Sequence, residues 1–301
     1  MQMLYALSRD ESLTNHDIDR LYWKKIEESF ELLLFSLYNL IQITKVASDD
    51  GEKRKAKHLP TELDKKFTSK LWTNSMIQSL VKNKFLQAKF EKLNFSSKVD
   101  KDHFKKIYYE FAKEELYHNF FQNDTTNDEE LEFLLELFRF CRKSELFNEM
   151  IEDQFANWED DKSLIIGCIK KILKEEDKDS ERSIMEHYPD KDTTKDYGEF
   201  LLKETISDDK SLLGLIDPVL ENWDADRVAI LDMIMIKMAL VEFLHCNTIP
   251  IKVTLNEYVE LAKTYSTSKS KEFVNGILDK VLKQLINEGK VVKEGRGLLE
   301  E

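Results

Sequence analysis

KEFVNGILDKV, residues 271–281, can be read in two ways, and the choice decides the fold. Asn275-Gly276 between apolar residues is a strong hairpin signal. The surrounding residues follow another period. Phe273, Val274, Ile277, Leu278, Val281, Leu282, Leu285 and Ile286 recur at three- and four-residue steps, which is one face of a helix. No period-two alternation exists on either side for a hairpin to join. The stretch is therefore helical, and its glycine costs that helix about 1 kcal/mol. Two readings account for the glycine: Gly276 lets a second helix pack close, or it allows something else to approach the backbone.

The helical period extends outward from this stretch. Only 8 of the 301 residues are Gly and 4 are Pro, which favours helices joined by polar turns over sheet. Ile18, Leu21, Ile26, Phe30, Leu33, Leu37 and Ile41 predict a long helix over 18–44. Further helices are expected over 67–92, 101–121, 128–156, 160–175, 195–206, 209–222, 225–246 and 254–287, the last divided at STSKS (266–270). Polar stretches such as DDGEKRKAKHLP (49–60), DKDSERS (177–183) and YPDKDTTKD (188–196) read as loops or linkers. The fold class is all-α. The expected division is a helical N-terminal region over 1–195, a C-terminal helical domain over 196–290 and a polar tail over 291–301.

The 225–246 helix is apolar on nearly every side, which marks a central helix. Asp232 and Lys237 interrupt it, and a charge in that setting must be paired or must reach a surface. For Asp232 the alternatives are an internal ion pair and a charge displayed to a partner protein. Downstream, Thr254-Leu-Asn-Glu257 has the spacing of a capping box and predicts the start of the next helix.

The net charge of −13 argues against a generic nucleic-acid binder. Its distribution is uneven, since 252–296 holds nine basic against six acidic residues and places any anion-binding face at the C-terminal end. The basic run Lys53-Arg54-Lys55-Ala56-Lys57-His58, with Asp49, Asp50 and Glu52 beside it, reads as a solvated loop. Cys141, Cys168 and Cys246 lie far apart in apolar stretches and read as buried, reduced thiols. No uninterrupted apolar run reaches the roughly 18 residues of a membrane span. A cytoplasmic protein with no membrane partner is expected.

Motifs for phosphate-loop, dinucleotide, serine-hydrolase or metalloprotease chemistry are lacking. Glu115-x-x-His118 and Glu242-x-x-His245 have the Glu-x-x-His spacing used by di-iron carboxylate bundles, which require further glutamates on two other helices. With 33 Glu and 6 His such spacings arise by chance, so no metal or cofactor is assigned.

Asp224-Ala225-Asp226-Arg227 leads into ILDMIMIKMALVEFL (230–244), followed by IPIKVTLNEYVELAKTY (249–265) and SKSKEFVNGILDKV (268–281). In order and spacing these resemble the signature of the NusB family of transcription antitermination factors, over 212–286. VELAK followed after a short polar loop by FVNG is a specific combination. Met1-Gln2-Met3-Leu4-Tyr5-Ala6 is similar to the end of the family's first helix, while 8–195 exceeds the compact family core and resembles the enlarged helical N-terminal region of some members.

The resemblance implies a NusB-like helical bundle with an extended helical N-terminal region, and a non-catalytic function. It implies a heterodimer with NusE, a ribosomal small-subunit protein that doubles as a transcription factor. That pair would bind boxA-type single-stranded RNA within the RNA polymerase antitermination complex, chiefly on ribosomal RNA operons. Carried over residue by residue, Tyr5, Asp226 and Asp232 would face NusE, and Gln2, Lys269, Lys271, Phe273 and Asn275 would lie at the RNA. Family members usually open with an Arg/Lys-rich segment, whereas no positive side chain precedes Arg9 here; the resemblance implies either a sequence that starts late or weak RNA binding by the chain alone. Two rivals carry the same fold. One is the NusB-like domain of an RNA cytosine methyltransferase, whose Gly-rich loop and Pro-Cys motif this chain does not show. The other is a scaffold that lost RNA binding, which the acidic balance favours.

Overall fold

The computed structural model describes residues 1–10, 12–123, 125–175, 180–220 and 227–298, and among them every regular element is helical. The chain forms two compact units, one made of Met1–Lys24 with Asp190–Glu301 and one of Lys25–Pro189. The first 24 residues thus belong with the C-terminal helices rather than with the region that follows them.

The Lys25–Pro189 unit is built around most of the helix Asn15–Lys55, which runs well past the expected end at residue 44. This helix is long and apolar enough to cross a membrane, but 78% of its most apolar stretch is buried. It reads as the core helix of its unit: Phe35, Tyr38, Phe90, Phe95 and Phe104 interlock there with ring centroids 5.1–6.4 Å apart. The basic run at 53–58 is the solvated loop expected only in part: residues 56–60 are an exposed loop, and Lys53 and Lys55 are exposed but helical. Residues 49–55 are helical, Arg54 pairs with Asp50 (2.8 Å) and Asp64 (3.2 Å), and Lys57 pairs with Asp64 (2.8 Å).

Several single helices expected from periodicity are broken where a polar side chain caps a new turn. Asn74 accepts from the amides of Met76 and Ile77, Asn83 from that of Leu86, and Ser144 from that of Phe147. Residues 67–92 therefore hold Lys70–Thr73, Ser75–Lys82 and Lys84–Lys92, and 128–156 holds Asn127–Lys143 and Glu145–Glu152. The 101–121 stretch likewise divides into Lys101–Phe111 and Glu115–Gln122. An Asn or Ser side chain competes with the helix for backbone donors, which apolar periodicity does not register.

In the other unit, the helix Ile230–His245 is central, as its composition implies. It packs against Gln2–Arg9, Phe200–Ser207, Asp209–Ile216, Ile251–Tyr265 and Ser270–Asn287. Met235, Ile236, Ala239, Leu240, Val241 and Phe243 are fully buried there. Leu4, Ile18, Leu202 and Ile234 form a smaller cluster under the first helix. Gly198 is required by packing, because a Cβ there would collide with the Tyr22 hydroxyl, which donates to the Thr194 carbonyl at 2.6 Å. Residues 291–298 dock rather than trail. Lys293 donates to the Cys246 carbonyl (2.9 Å), the Glu294 amide donates to the Asn247 carbonyl (3.0 Å), and Gly297 lies so close to that carbonyl that no side chain fits.

Asn83 is fully buried, caps one helix and donates to the Ser180 carbonyl at 3.0 Å. Asn83→Ala should cost about 2–3 kcal/mol, the sum of a lost cap and an orphaned buried carbonyl, read as a lower urea midpoint with an unchanged slope.

Candidate functional site

The joint between the last two long helices is fixed by a buried carboxylate. Asp232 is 4% exposed in the first turn of Ile230–His245 and accepts from Ser266 Oγ (2.5 Å) and Ser270 Oγ (2.7 Å). With both hydroxyl protons directed at Asp232, the lone pairs of Ser270 Oγ accept from the Thr267 amide (3.2 Å) and hydroxyl (2.8 Å). Asp232 is therefore neither the displayed charge nor the internal ion pair expected. Its neighbours on the next two helices are hydroxyls, and burying it organises the loop that opens Ser270–Asn287.

That loop presents the residues singled out in the sequence. Lys269 precedes the helix, Lys271 lies in its first turn, and both are exposed, with no ion pair to either among the described residues. The helix N-terminus adds partial positive charge at the same place. Phe273 is half-buried against the core. Asn275 is exposed and does not cap, because the helix has already begun at Ser270, and among the described residues its side chain has no hydrogen-bond partner. Next to it, a Cβ on Gly276 would meet no atom within 4 Å. Among the described residues no second helix lies there, which does not support the helix-packing reading of Gly276.

A second buried carboxylate sits at the other end of the central helix. Glu242, 3% exposed, accepts from Thr254 (2.5 Å), Tyr197 (2.6 Å) and Tyr258 (3.4 Å). Thr254 is consequently not a cap. The helix Ile251–Tyr265 starts after Pro250, and Thr254 faces inward to Glu242. Burial, together with the Glu242 charge, pushes the Tyr197 and Tyr258 hydroxyls well above the ordinary tyrosine range. The Cys246 thiol is pushed up to about 11, first by burial and then by Glu242. Periodicity could not reveal these two nodes, because each joins residues far apart in the chain.

The remaining expected residues lie elsewhere. Gln2 and Tyr5 are exposed on the first helix, Tyr5 at 41%. Beside them runs an apolar groove of about 450 Å³ lined by Leu4, Leu7, Ile206, Ile230, Met233 and Ile234. Lys237 at its edge is ion-paired with Asp209 at 2.5 Å. Asp226 lies outside the described residues.

Residues 161–283 match the model of the NusB family. The chain is 37% identical over 107 residues to the transcription antitermination protein NusB of Salinibacter ruber, covering 36% of this chain and 67% of that protein. It is 44% identical over 80 residues to the NusB of Chloroherpeton thalassium (27% and 38% covered). Against the NusB of Pseudothermotoga lettingae the identity is 46% over 71 residues (24% and 51% covered). The chain thus spans two thirds of the first of these relatives and about half or less of the other two. No solved structure matches it. The family match reaches back to residue 161, well before the motifs that begin near 212.

Replacing Asp232 by Ala leaves the Ser266 and Ser270 hydroxyls without their acceptor. Urea unfolding should show a loss of about 2–4 kcal/mol, and about half that for Asp232→Asn, which keeps one acceptor oxygen.

Proposed function

Because the chain belongs to the NusB family, we propose that it acts in transcription antitermination by binding boxA-type single-stranded RNA through the start of Ser270–Asn287 while paired with NusE. One observation carries this reading. Asn275-Gly276 costs helix stability, yet among the described residues nothing outside its own helix lies near a Cβ on Gly276, and the Asn275 amide has no hydrogen-bond partner. A ligand from outside supplies a use for both. Lys269 and Lys271 give the positive charge that attracts phosphate, Asn275 can pair with a base edge, and the glycine lets the backbone of a strand come close. Lys269 and Lys271 are exposed on this loop in a chain of net charge −13. Two lysines are few, so affinity in the heterodimer should exceed that of the chain alone, with the basic partner adding its own charge.

NusE would occupy the apolar groove next to Tyr5. Ile230, 38% exposed at its wall, is the anchor on this side. Asp232 would support the RNA-binding loop from behind instead of meeting NusE. Ile230→Glu should weaken the heterodimer by about 2 kcal/mol in a calorimetric titration; unchanged affinity would move the partner to another face.

The RNA reading makes an unusual prediction for Gly276→Ala. With nothing near the new methyl group, the helix should gain about 1 kcal/mol of stability, while boxA affinity falls. Asn275→Ala should weaken boxA more than an unrelated strand. Changing Lys269 and Lys271 to Glu together should weaken both strands alike and flatten the salt dependence by about 0.7 per lost phosphate contact. Fluorescence anisotropy on the NusE heterodimer over a salt series reads all three. If Gly276→Ala and Asn275→Ala both bind like the parent, RNA lies elsewhere.

A further inference from the structure

Glu242-x-x-His245 does not act as a unit. Glu242 points into the core and is taken up by three hydroxyls, while His245, at the last turn of the same helix, is exposed. There the imidazole meets two carboxylates from another helix. Donor atoms of Glu204, Asp208 and His245 all lie within 4.8 Å of one another. We propose that these three residues form a surface site for one divalent transition-metal ion of the zinc type.

Three features of the cluster point to a cation. Glu204 and Asp208 are one helical turn apart, where like charges repel. Among the described residues neither carboxylate has a basic partner, and Asp208 caps no amide of the helix that follows it, so its oxygens remain available. The helices Phe200–Ser207 and Ile230–His245 both end here, while Asp209–Ile216 starts just after Asp208, so the helix-end charges partly offset one another and the carboxylates set the local field. The His245 ring is held edge-on to Phe200, with centroids 6.1 Å apart and planes at 77°, which restricts the directions its nitrogens can take.

The donor set also selects among ions. One imidazole and two carboxylates suit zinc, cobalt or nickel, whereas magnesium and calcium take oxygen ligands. Donors on a tetrahedral zinc lie roughly 3.3–3.5 Å apart, given bonds of about 2.0–2.2 Å. Small rotations of the three side chains therefore close the site, and three protein ligands leave the remaining coordination to water. A bound ion would tie the end of Phe200–Ser207 to the end of Ile230–His245.

The test uses the full, untagged chain after dialysis against EDTA, titrated calorimetrically with zinc chloride and, in parallel, with cobalt chloride followed by visible absorption. One ion per chain with micromolar affinity is expected, and zinc should raise the thermal midpoint. His245→Ala should weaken binding about tenfold or more, as should Glu204→Gln combined with Asp208→Asn. His118→Ala, which alters the other Glu-x-x-His pair, should bind like the parent. These residues are exposed or half-exposed, and far-UV circular dichroism checks that each variant keeps its helices. If the parent shows no saturable binding, or if binding survives both the His245 and the double carboxylate variants, the site does not exist.

Discussion

A carboxylate taken out of water must be met by donors, and the central helix Ile230–His245 buries two. Among the described residues neither carboxylate forms an ion pair with a basic side chain. Asp232 is satisfied by Ser266 and Ser270, and Glu242 by Thr254, Tyr197 and Tyr258. Hydroxyl donors supply short, directional bonds without the desolvation cost of a second buried charge. Their geometric effect is larger than their number suggests. The two nodes fasten the beginning and the end of one apolar helix to specific turns of its neighbours, which apolar contacts, being non-directional, do not do.

The RNA-facing surface we propose follows from the first node. Because Asp232 draws the 266–270 loop onto the central helix, the chain between the two last long helices has little freedom, and Lys269 and Lys271 emerge beside a helix N-terminus. The same helix then buries Val274, Ile277, Leu278 and Val281 on one side and leaves Asn275 and Gly276 on the other. One stretch thus meets two demands. Its periodic residues hold the core, and the residues that break its propensity sit where the protein has no need of them for packing.

The Lys25–Pro189 unit has its own aromatic core and its own buried polar set. Asp50 accepts from the Tyr108 hydroxyl at 3.1 Å and pairs with Arg54, and Tyr108 shares a 2.6 Å contact with Tyr117. Of its basic run, Arg54 and Lys57 are paired with Asp50 and Asp64 within the unit, while Lys53 and Lys55 are exposed. Arg54 and Lys57 therefore add little to attraction of a polyanion, in keeping with an overall charge of −13.

The helical class, the central position of 230–245, the helical reading of KEFVNGILDKV and the family resemblance were all legible in the sequence, because period and motif are local properties. The NusB match includes the motifs read directly from 212 onward, and its earlier part, 161–211, was not read from spacing. What could not be read depended on partners distant in the chain. Asp232 offered two readings, paired or displayed, and the structure supplied a third through serines 34 and 38 residues away. Thr254 had the spacing of a cap and became a ligand of Glu242 instead, because Pro250 opens the helix earlier. Asn74, Asn83 and Ser144 divided helices that apolar period alone joined. His245 was tied to Glu242 by spacing and brought to Glu204 and Asp208 by folding. Period determines which face of a helix turns inward. Which polar group meets which is decided only when the helices pack, since a hydrogen bond depends on distances of a few tenths of an ångström that no one-dimensional pattern contains.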